Sequence, residues 1–274
     1  MQYGFVIPVG DVGEQVAMAR ELEAAGWDGV FVADGVYGMS PWVALGAMAA
    51  STTRMRLGTL LTPVSRRRPW TLASEVATLD RLSGGRAVLP VGLGAIDTGF
   101  AAVGEATDRA TRAQLLDEGL EVVTRFWRGE PFRFDGTHYH VDWSDMRWEY
   151  RPVQSPRVPI WTVAAWPSER SMARALRWDG VLPNKKTAEG TFETLTPEDV
   201  RAVRAYVGEH REQTTPFDIV VEGVSPTGDL ERAADVVRPF AEAGATWWIE
   251  SMWEAQGGME AVRRRILQGP PRVE

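Results

Sequence analysis

One segment, residues 56–94, constrains the fold of this chain more than any other part of its sequence. An apolar run that ends in proline is followed by apolar residues at helical spacing over 69–82. Gly84 and Gly85 then supply the left-handed geometry that a helix exit favours, and a second apolar run covers 87–91. Two apolar strands joined by a long helix pair in one sheet only as parallel neighbours. The segment therefore predicts a strand, helix, strand unit.

The same alternation continues along the chain. Strands are predicted at 3–8, 29–33, 57–62, 87–91, 160–164, 180–182, 217–221 and 246–250. Helices are predicted at 13–25, 41–51, 69–82, 111–128, 168–177, 196–211, 229–243 and 256–267. Eight strands that alternate with helices favour a closed parallel barrel over an open doubly wound sheet. The predicted class is therefore α/β, with a single (β/α)8 TIM barrel.

Residues 129–159 interrupt this alternation of strands and helices, between the fourth helix and the fifth strand. Prolines and aromatic residues are interleaved there, which predicts a long ordered insertion. His138 and His140 lie within it, but no third ligand has convincing spacing. We therefore expect no metal site.

Composition limits the classes of protein that remain. A chain of 274 residues with 44% apolar content can bury a large core, so one domain over 1–274 is expected. Lys and Arg total 30 against 37 Asp and Glu, a net charge of −7, which does not suggest a nucleic-acid partner. There is no cysteine, signal-peptide pattern or long apolar run, so a soluble cytoplasmic protein without a membrane partner is expected.

The sequence LDRLSGGR at Leu79 to Arg86 is the most specific motif in the chain. Together with the preceding LGT strand and the following Gly-x-Gly strand exit, it resembles the luciferase-like family of flavin- and deazaflavin-dependent oxidoreductases. GEPFRFDGTHYHV in the insertion matches the same family. The resemblance implies a barrel that binds a flavin-type cofactor at the carboxyl ends of its strands.

Glycine follows the fourth predicted strand at two positions. Gly92 and Gly94 carry no side chain, so the backbone there can approach a planar cofactor closely. A simple strand exit with turn glycines explains the spacing equally well. Trp42, Trp70, Trp166 and Trp253 lie near other strand exits or helix starts, where they could line a pocket for a flat ring.

The resemblance assigns two further cofactor contacts. Leu60 and Leu61, followed by Thr62, align with the position where family members carry a non-proline cis peptide against the flavin ring. The loop after the fifth strand binds cofactor phosphate in the family. Here that loop contains Trp166, and Ser168, Glu169 and Arg170 begin the next helix. From the residues alone, Ser168 could equally be an ordinary helix cap.

The second strand exit departs from the family pattern. Many members have an acidic residue followed by a histidine that takes part in proton transfer, whereas this chain has Asp34 and Gly35. Asp34, Tyr37 or Glu250 could take this role, or the reaction needs no such base; Asp34 is the leading candidate base, and Tyr37 is a candidate hydrogen-bond donor. A loop cap is the alternative role for Asp34.

The resemblance implies FMN as the leading cofactor, with monooxygenation of a small organic substrate after reduction by a separate flavin reductase. The deazaflavin coenzyme F420 is the alternative, and it would give hydride transfer without oxygen. A barrel that binds flavin without turnover is a third reading, which Gly35 favours. A homodimer is left open.

Overall fold

The structure is a computed structural model that describes residues 1–187, 189, 191–255 and 257–273. The strands are β1 (Gln2–Ile7), β2 (Gly29–Val32), β3 (Arg56–Thr59), β4 (Thr62–Pro63), β5 (Leu89–Gly92), β6 (Phe132–Asp135), β7 (His140–Trp143), β8 (Ile160–Trp166), β9 (Gly180–Lys186), β10 (Phe192–Glu193), β11 (Asp218–Gly223) and β12 (Trp247–Ser251). The helices are α1 (Val12–Ala24), α2 (Pro41–Ser51), α3 (Pro69–Ser83), α4 (Arg109–Arg128), α5 (Glu169–Ala175), α6 (Pro197–His210), α7 (Leu230–Ala243) and α8 (Gly258–Gln268).

The main sheet is a parallel barrel. Its strand order is β3-β2-β1-β12-β11-β9-β8-β5-β4, and every pair along this path is parallel. A parallel bridge between Leu57 of β3 and Ala87, just before β5, closes the barrel. In this bridge the Leu57 amide donates to the Arg86 carbonyl at 3.0 Å. β3 and β4 are two parts of one strand, separated by Leu60 and Leu61. The barrel thus has eight strand positions, and the predicted (β/α)8 fold is confirmed.

Each of the eight predicted strands and eight predicted helices overlaps an observed element. The predicted start of the last helix, Gln256, lies outside the described residues, and α8 begins at Gly258. Inside the insertion, for which the sequence predicts no strands, β6 and β7 form an antiparallel hairpin with alternate side chains partly buried. Phe132 and Trp143 of this hairpin pack edge-on against Phe126 of α4.

Local signals in the sequence explain where the helices begin and end. Thr196 and Asp199 form a reciprocal capping box at the start of α6. Gly84 ends α3 with φ +66°, a left-handed backbone geometry that residues other than glycine rarely adopt. Among the helices of the described residues, none has the length and apolar content needed to cross a membrane.

Two apolar cores stabilise the fold. The larger lies between the sheet and the surrounding helices. The smaller fills the inside of the barrel with Val6, Phe31, Leu60, Val88, Trp161, Leu182, Val220, Trp247 and Ile249. Within it the rings of Trp161 and Trp247 lie 5.2 Å apart, and Phe31 contacts both. We call this aromatic cluster of Phe31, Trp161 and Trp247 the barrel floor.

Candidate active site

A cavity of about 390 Å³ lies above the barrel floor, at the carboxyl ends of the strands. Ligands of parallel barrels bind at this end, because the strands there run out into loops. Its wall is largely apolar and is formed by Leu60, Leu61, Pro63, Val163 and Leu182, with smaller residues between them. Its polar lining residues are Asp34, Thr98, Asn184 and Glu222, and Trp253 lies beside them. An apolar chamber with few polar groups is typical of a small-molecule site.

Strand alternation explains which residues reach this cavity. Leu182 and Val220 point into the barrel interior. Side chains two positions further along a strand face the same side, so Asn184 of β9 and Glu222 of β11 point into the cavity above them. β9 and β11 are adjacent parallel strands, which brings the two polar side chains to the same edge of the mouth.

The Leu60–Leu61 peptide is cis, as the family resemblance implied. Both leucines line the cavity. Thr62 is buried, and its hydroxyl lies 2.7 Å from the hydroxyl of Thr59. Thr62 therefore anchors the backbone behind the wall rather than contributing to the surface of the cavity.

The two glycines of the fourth strand exit have different surroundings. A Cβ placed on Gly92 would lie 2.8 Å from Cδ2 of Leu61, so the missing side chain makes room for that leucine. Gly94 has φ +78° and lines the cavity, and a Cβ there would lie 2.9 Å from Cβ of Pro63. The close approach predicted for Gly92 is thus made by a protein side chain, whereas Gly94 borders the space that a cofactor could enter.

Asp34 is fixed in an ion-pair cluster with two arginines. Arg66 Nη2 donates to its Oδ1 at 2.7 Å, and Arg67 Nε donates to its Oδ2 at 3.0 Å. The Asp34 side chain is 1% exposed, and those of Arg66 and Arg67 are 11% and 18% exposed. Because both oxygens accept from guanidinium groups, this geometry favours a structural anchor over a proton acceptor.

Glu75 extends this cluster on its outer side. Arg67 Nη1 donates to Glu75 Oε2 at 3.0 Å, so Arg67 bridges two carboxylates. Burial raises the pKa of the Glu75 carboxyl, and the charge of Arg67 opposes that shift.

Tyr37 lies apart from the apolar cavity. It borders a second, polar cavity of about 290 Å³ between the loop 34–41 and the side chains of Arg66 and Arg67. The Tyr37 side chain is 77% exposed. Asp34 and Gly35 line both cavities, so the two spaces adjoin. The proposed hydrogen-bonding role of Tyr37 stays a prediction.

The residues predicted to hold the cofactor phosphate are not among those that line the cavity. Trp166 ends β8 and packs edge-on against Tyr206, with ring centres 5.9 Å apart. Ser168 is the N-cap of α5, but its hydroxyl makes no capping hydrogen bond. Ser168, Glu169 and Arg170 are exposed. The phosphate site stays a prediction.

The sequence predicts no functional role for Glu222 and Asn184, although both lie just after predicted strands, at 217–221 and 180–182. Asn184 lies two residues after Leu182, and Glu222 lies two residues after Val220, so each pair shares one face of its strand. This spacing predicts that Asn184 and Glu222 reach the cavity only once the inward face of each strand is known. Of the tryptophans singled out, Trp253 lines the cavity, and its indole Nε1 donates to Glu222 Oε1. Trp42 is buried beneath Arg67, with the guanidinium carbon 5.9 Å from the ring centre.

Known proteins share this fold and much of this sequence pattern. An F420-dependent glucose-6-phosphate dehydrogenase of Microbacterium testaceum is 32% identical over 187 residues, which span 64% of this chain and 54% of that protein. A protein of the same name from Beutenbergia cavernae is 31% identical over 242 residues, which span 82% of this chain and 67% of the relative.

Solved structures show the same architecture at low sequence identity. A coenzyme F420 dependent tetrahydromethanopterin reductase from Methanopyrus kandleri superposes with a TM-score of 0.78 at 17% identity, covering 98% of both chains. The oxygenating constituent of 3,6-diketocamphane monooxygenase from Pseudomonas putida, in complex with FMN, gives a TM-score of 0.63 at 14% identity. That match covers 86% of this chain and 71% of the other.

The sequence profile of one family covers almost the whole chain. The profile described as luciferase-like monooxygenase matches residues 3–268, which include all eight barrel strands except the first residue of β1. The chain therefore belongs to the luciferase-like monooxygenase family.

Proposed function

We propose that this oxidoreductase holds the ring of a flavin-type cofactor in the apolar cavity and exchanges a hydride with a small organic substrate beside it. The observation that carries the proposal is the cavity itself. Its apolar wall at the carboxyl ends of the strands fits a flat ring, and its polar side chains stand at the mouth, where a substrate would approach.

The two sequence relatives named above support the deazaflavin F420 as the cofactor of this chain. Both sequence relatives named above, at 31% and 32% identity, are F420-dependent dehydrogenases. FMN, the leading expectation from the sequence, is supported by the family description and by a structural neighbour at 14% identity. We therefore place F420-dependent hydride transfer first and FMN-dependent monooxygenation, with a separate flavin reductase as partner, second.

The residues present suit either ring system. Leu60, Leu61 and Val163 would contact the ring and exclude water from it, and Gly94 would let the ring approach the backbone. The bound cofactor would supply the hydride acceptor or donor. The polar groups at the mouth would orient the substrate against the ring.

Titration of the purified protein with F420 and with FMN, followed by quenching of cofactor fluorescence, tests this proposal. We expect F420 to bind at least about tenfold more tightly than FMN, a difference of about 1.4 kcal/mol. Leu61→Glu should weaken binding of either cofactor, since it places a charge in the apolar wall. Leu267→Glu is the matched control, because Leu267 is 59% exposed on α8.

The outcomes separate the candidate functions. Tight binding of FMN alone, with substrate-dependent oxygen uptake by the reduced form, would establish the monooxygenase. Binding without turnover of any substrate would favour the non-catalytic flavin-binding barrel. Failure of both cofactors to bind would contradict the proposal.

A further inference from the structure

Both ionisable side chains that line the apolar cavity are acidic. Among the described residues that line it, Asp34 and Glu222 are acidic, and no lysine, arginine or histidine contributes to the wall. The charge of Asp34 is balanced by Arg66 and Arg67, which approach it from the side of the polar cavity. Glu222 is therefore the acidic side chain of the described lining whose charge no ion pair balances.

Within the described part of the chain, Glu222 has no cationic partner within ion-pair distance. The adjacent strand β9 ends in two lysines. Lys185 is paired with Asp199 at 3.1 Å and with Glu193 at 3.8 Å, and among the described residues Lys186 makes no ion pair with Glu222. The one hydrogen bond found for the Glu222 carboxylate in the described residues comes from Trp253 to Oε1. Its Oε2 remains as an acceptor at the cavity mouth.

Trp253 gives this carboxylate a defined orientation. The indole follows β12 and donates across the mouth to β11, and the two strands are parallel neighbours. Trp253 also supplies an aromatic surface beside the carboxylate. A carboxylate next to an aromatic face and an apolar wall suits an apolar molecule that carries an O–H or N–H donor, whereas an anionic group would meet an unbalanced negative charge.

We propose that Glu222 selects the substrate, which is an uncharged or cationic apolar molecule that donates a hydrogen bond to Glu222 Oε2, and that phosphorylated or carboxylated molecules are disfavoured. The proposal rests on the proposed function only in naming this cavity as the substrate site. Asn184, at the adjacent strand exit, adds a neutral donor and acceptor to the same edge and leaves the charge of the mouth unchanged.

Binding of three probes with one apolar body tests the inference. Cyclohexylamine, cyclohexanol and cyclohexanecarboxylate are titrated calorimetrically at pH 7, first into the protein alone and then into protein saturated with whichever cofactor it binds. We expect the amine to bind at least about tenfold more tightly than the carboxylate, with the alcohol between them. Because Glu222 is exposed at the mouth, a larger factor is not expected.

Glu222→Gln keeps the shape of the side chain and removes its charge, so the ratio of amine to carboxylate affinity should fall to about one. Glu209→Gln is the matched control, because Glu209 is exposed on α6 and does not line the cavity; this variant should keep the wild-type ratio. Equal affinities in the wild type, a ratio that survives in Glu222→Gln, or no binding of any probe would overturn the inference. Since the first titration contains no cofactor, failure of the proposed cofactor assignment would be seen separately.

Discussion

Replacement of Asp34 by asparagine distinguishes an anchor from a catalytic base. The change keeps the shape of the side chain and removes the charge that two largely buried guanidinium groups share. Breaking a buried ion pair by removing one partner costs roughly 3 to 5 kcal/mol. The lower end applies here, because Arg67 keeps its pair with Glu75 and Arg66 still donates to the Asp34 backbone carbonyl at 3.0 Å.

A loss of about 3 kcal/mol can be converted into a melting temperature. At roughly 2.1 cal/mol/K per residue, the entropy of unfolding of 274 residues is about 0.6 kcal/mol/K, so Asp34→Asn should lower Tm by about 5 °C. Calorimetry and urea denaturation measure this change. Asp97→Asn, an exposed acid outside the ion-pair cluster, should leave Tm within about 1 °C of the wild type.

The same variant tests the catalytic reading. If Asp34 acts as the base, turnover should fall on the order of a hundredfold. An unchanged Tm together with such a fall would refute the anchor and restore Asp34 as the proton acceptor. A lower Tm with turnover that remains near the wild-type rate below the transition would exclude the base.

Two further substitutions test the surroundings of the site, and a third tests the amino end of the barrel. Gly92→Ala should push the Leu61 side chain toward the cavity, which costs about 1 kcal/mol of stability and weakens cofactor binding measured by fluorescence; unchanged affinity would contradict this. Ser168→Ala should leave Tm nearly unchanged, because the hydroxyl caps nothing, but should weaken binding of the phosphate-bearing cofactor about tenfold; riboflavin binding as tightly as FMN would rule out the phosphate site. Burial raises the pKa of Asp218 above its ordinary value of 3.8, so the cost of ionising it is absent below that pH and grows as pH rises through the folded-state pKa. Asp218→Asn should therefore gain stability relative to the wild type as pH rises above about 4 in urea titrations, and parallel pH profiles would disprove the shift.

The order of strands and helices could be predicted because each element carries its own signal. Apolar runs, proline starts and glycine exits are local, and the helix over 41–51 was predicted with its observed bounds. The side chains that reach the cavity could not be predicted in the same way, since this depends on which face of each strand turns inward.

Asp34 shows most clearly which part of the site could not be predicted from the sequence. Its partners lie 32 and 33 residues further along the chain, and the parallel pairing of β2 with β3 brings the two loops together. From the sequence alone, an acidic residue at a strand exit and an arginine cluster after the next strand are two separate observations. The hydrogen bond between Trp253 and Glu222 is similar, because it joins residues 31 positions apart.

The barrel floor has a consequence for the order of events during turnover. Phe31, Trp161 and Trp247 are almost completely buried and fill the barrel interior below the cavity, so they leave no passage toward the amino ends of the strands. A cofactor ring and a substrate that share this dead-end chamber would have to enter and leave by the same mouth. The cofactor would then bind first and depart last, and product inhibition would follow an ordered rather than a random pattern.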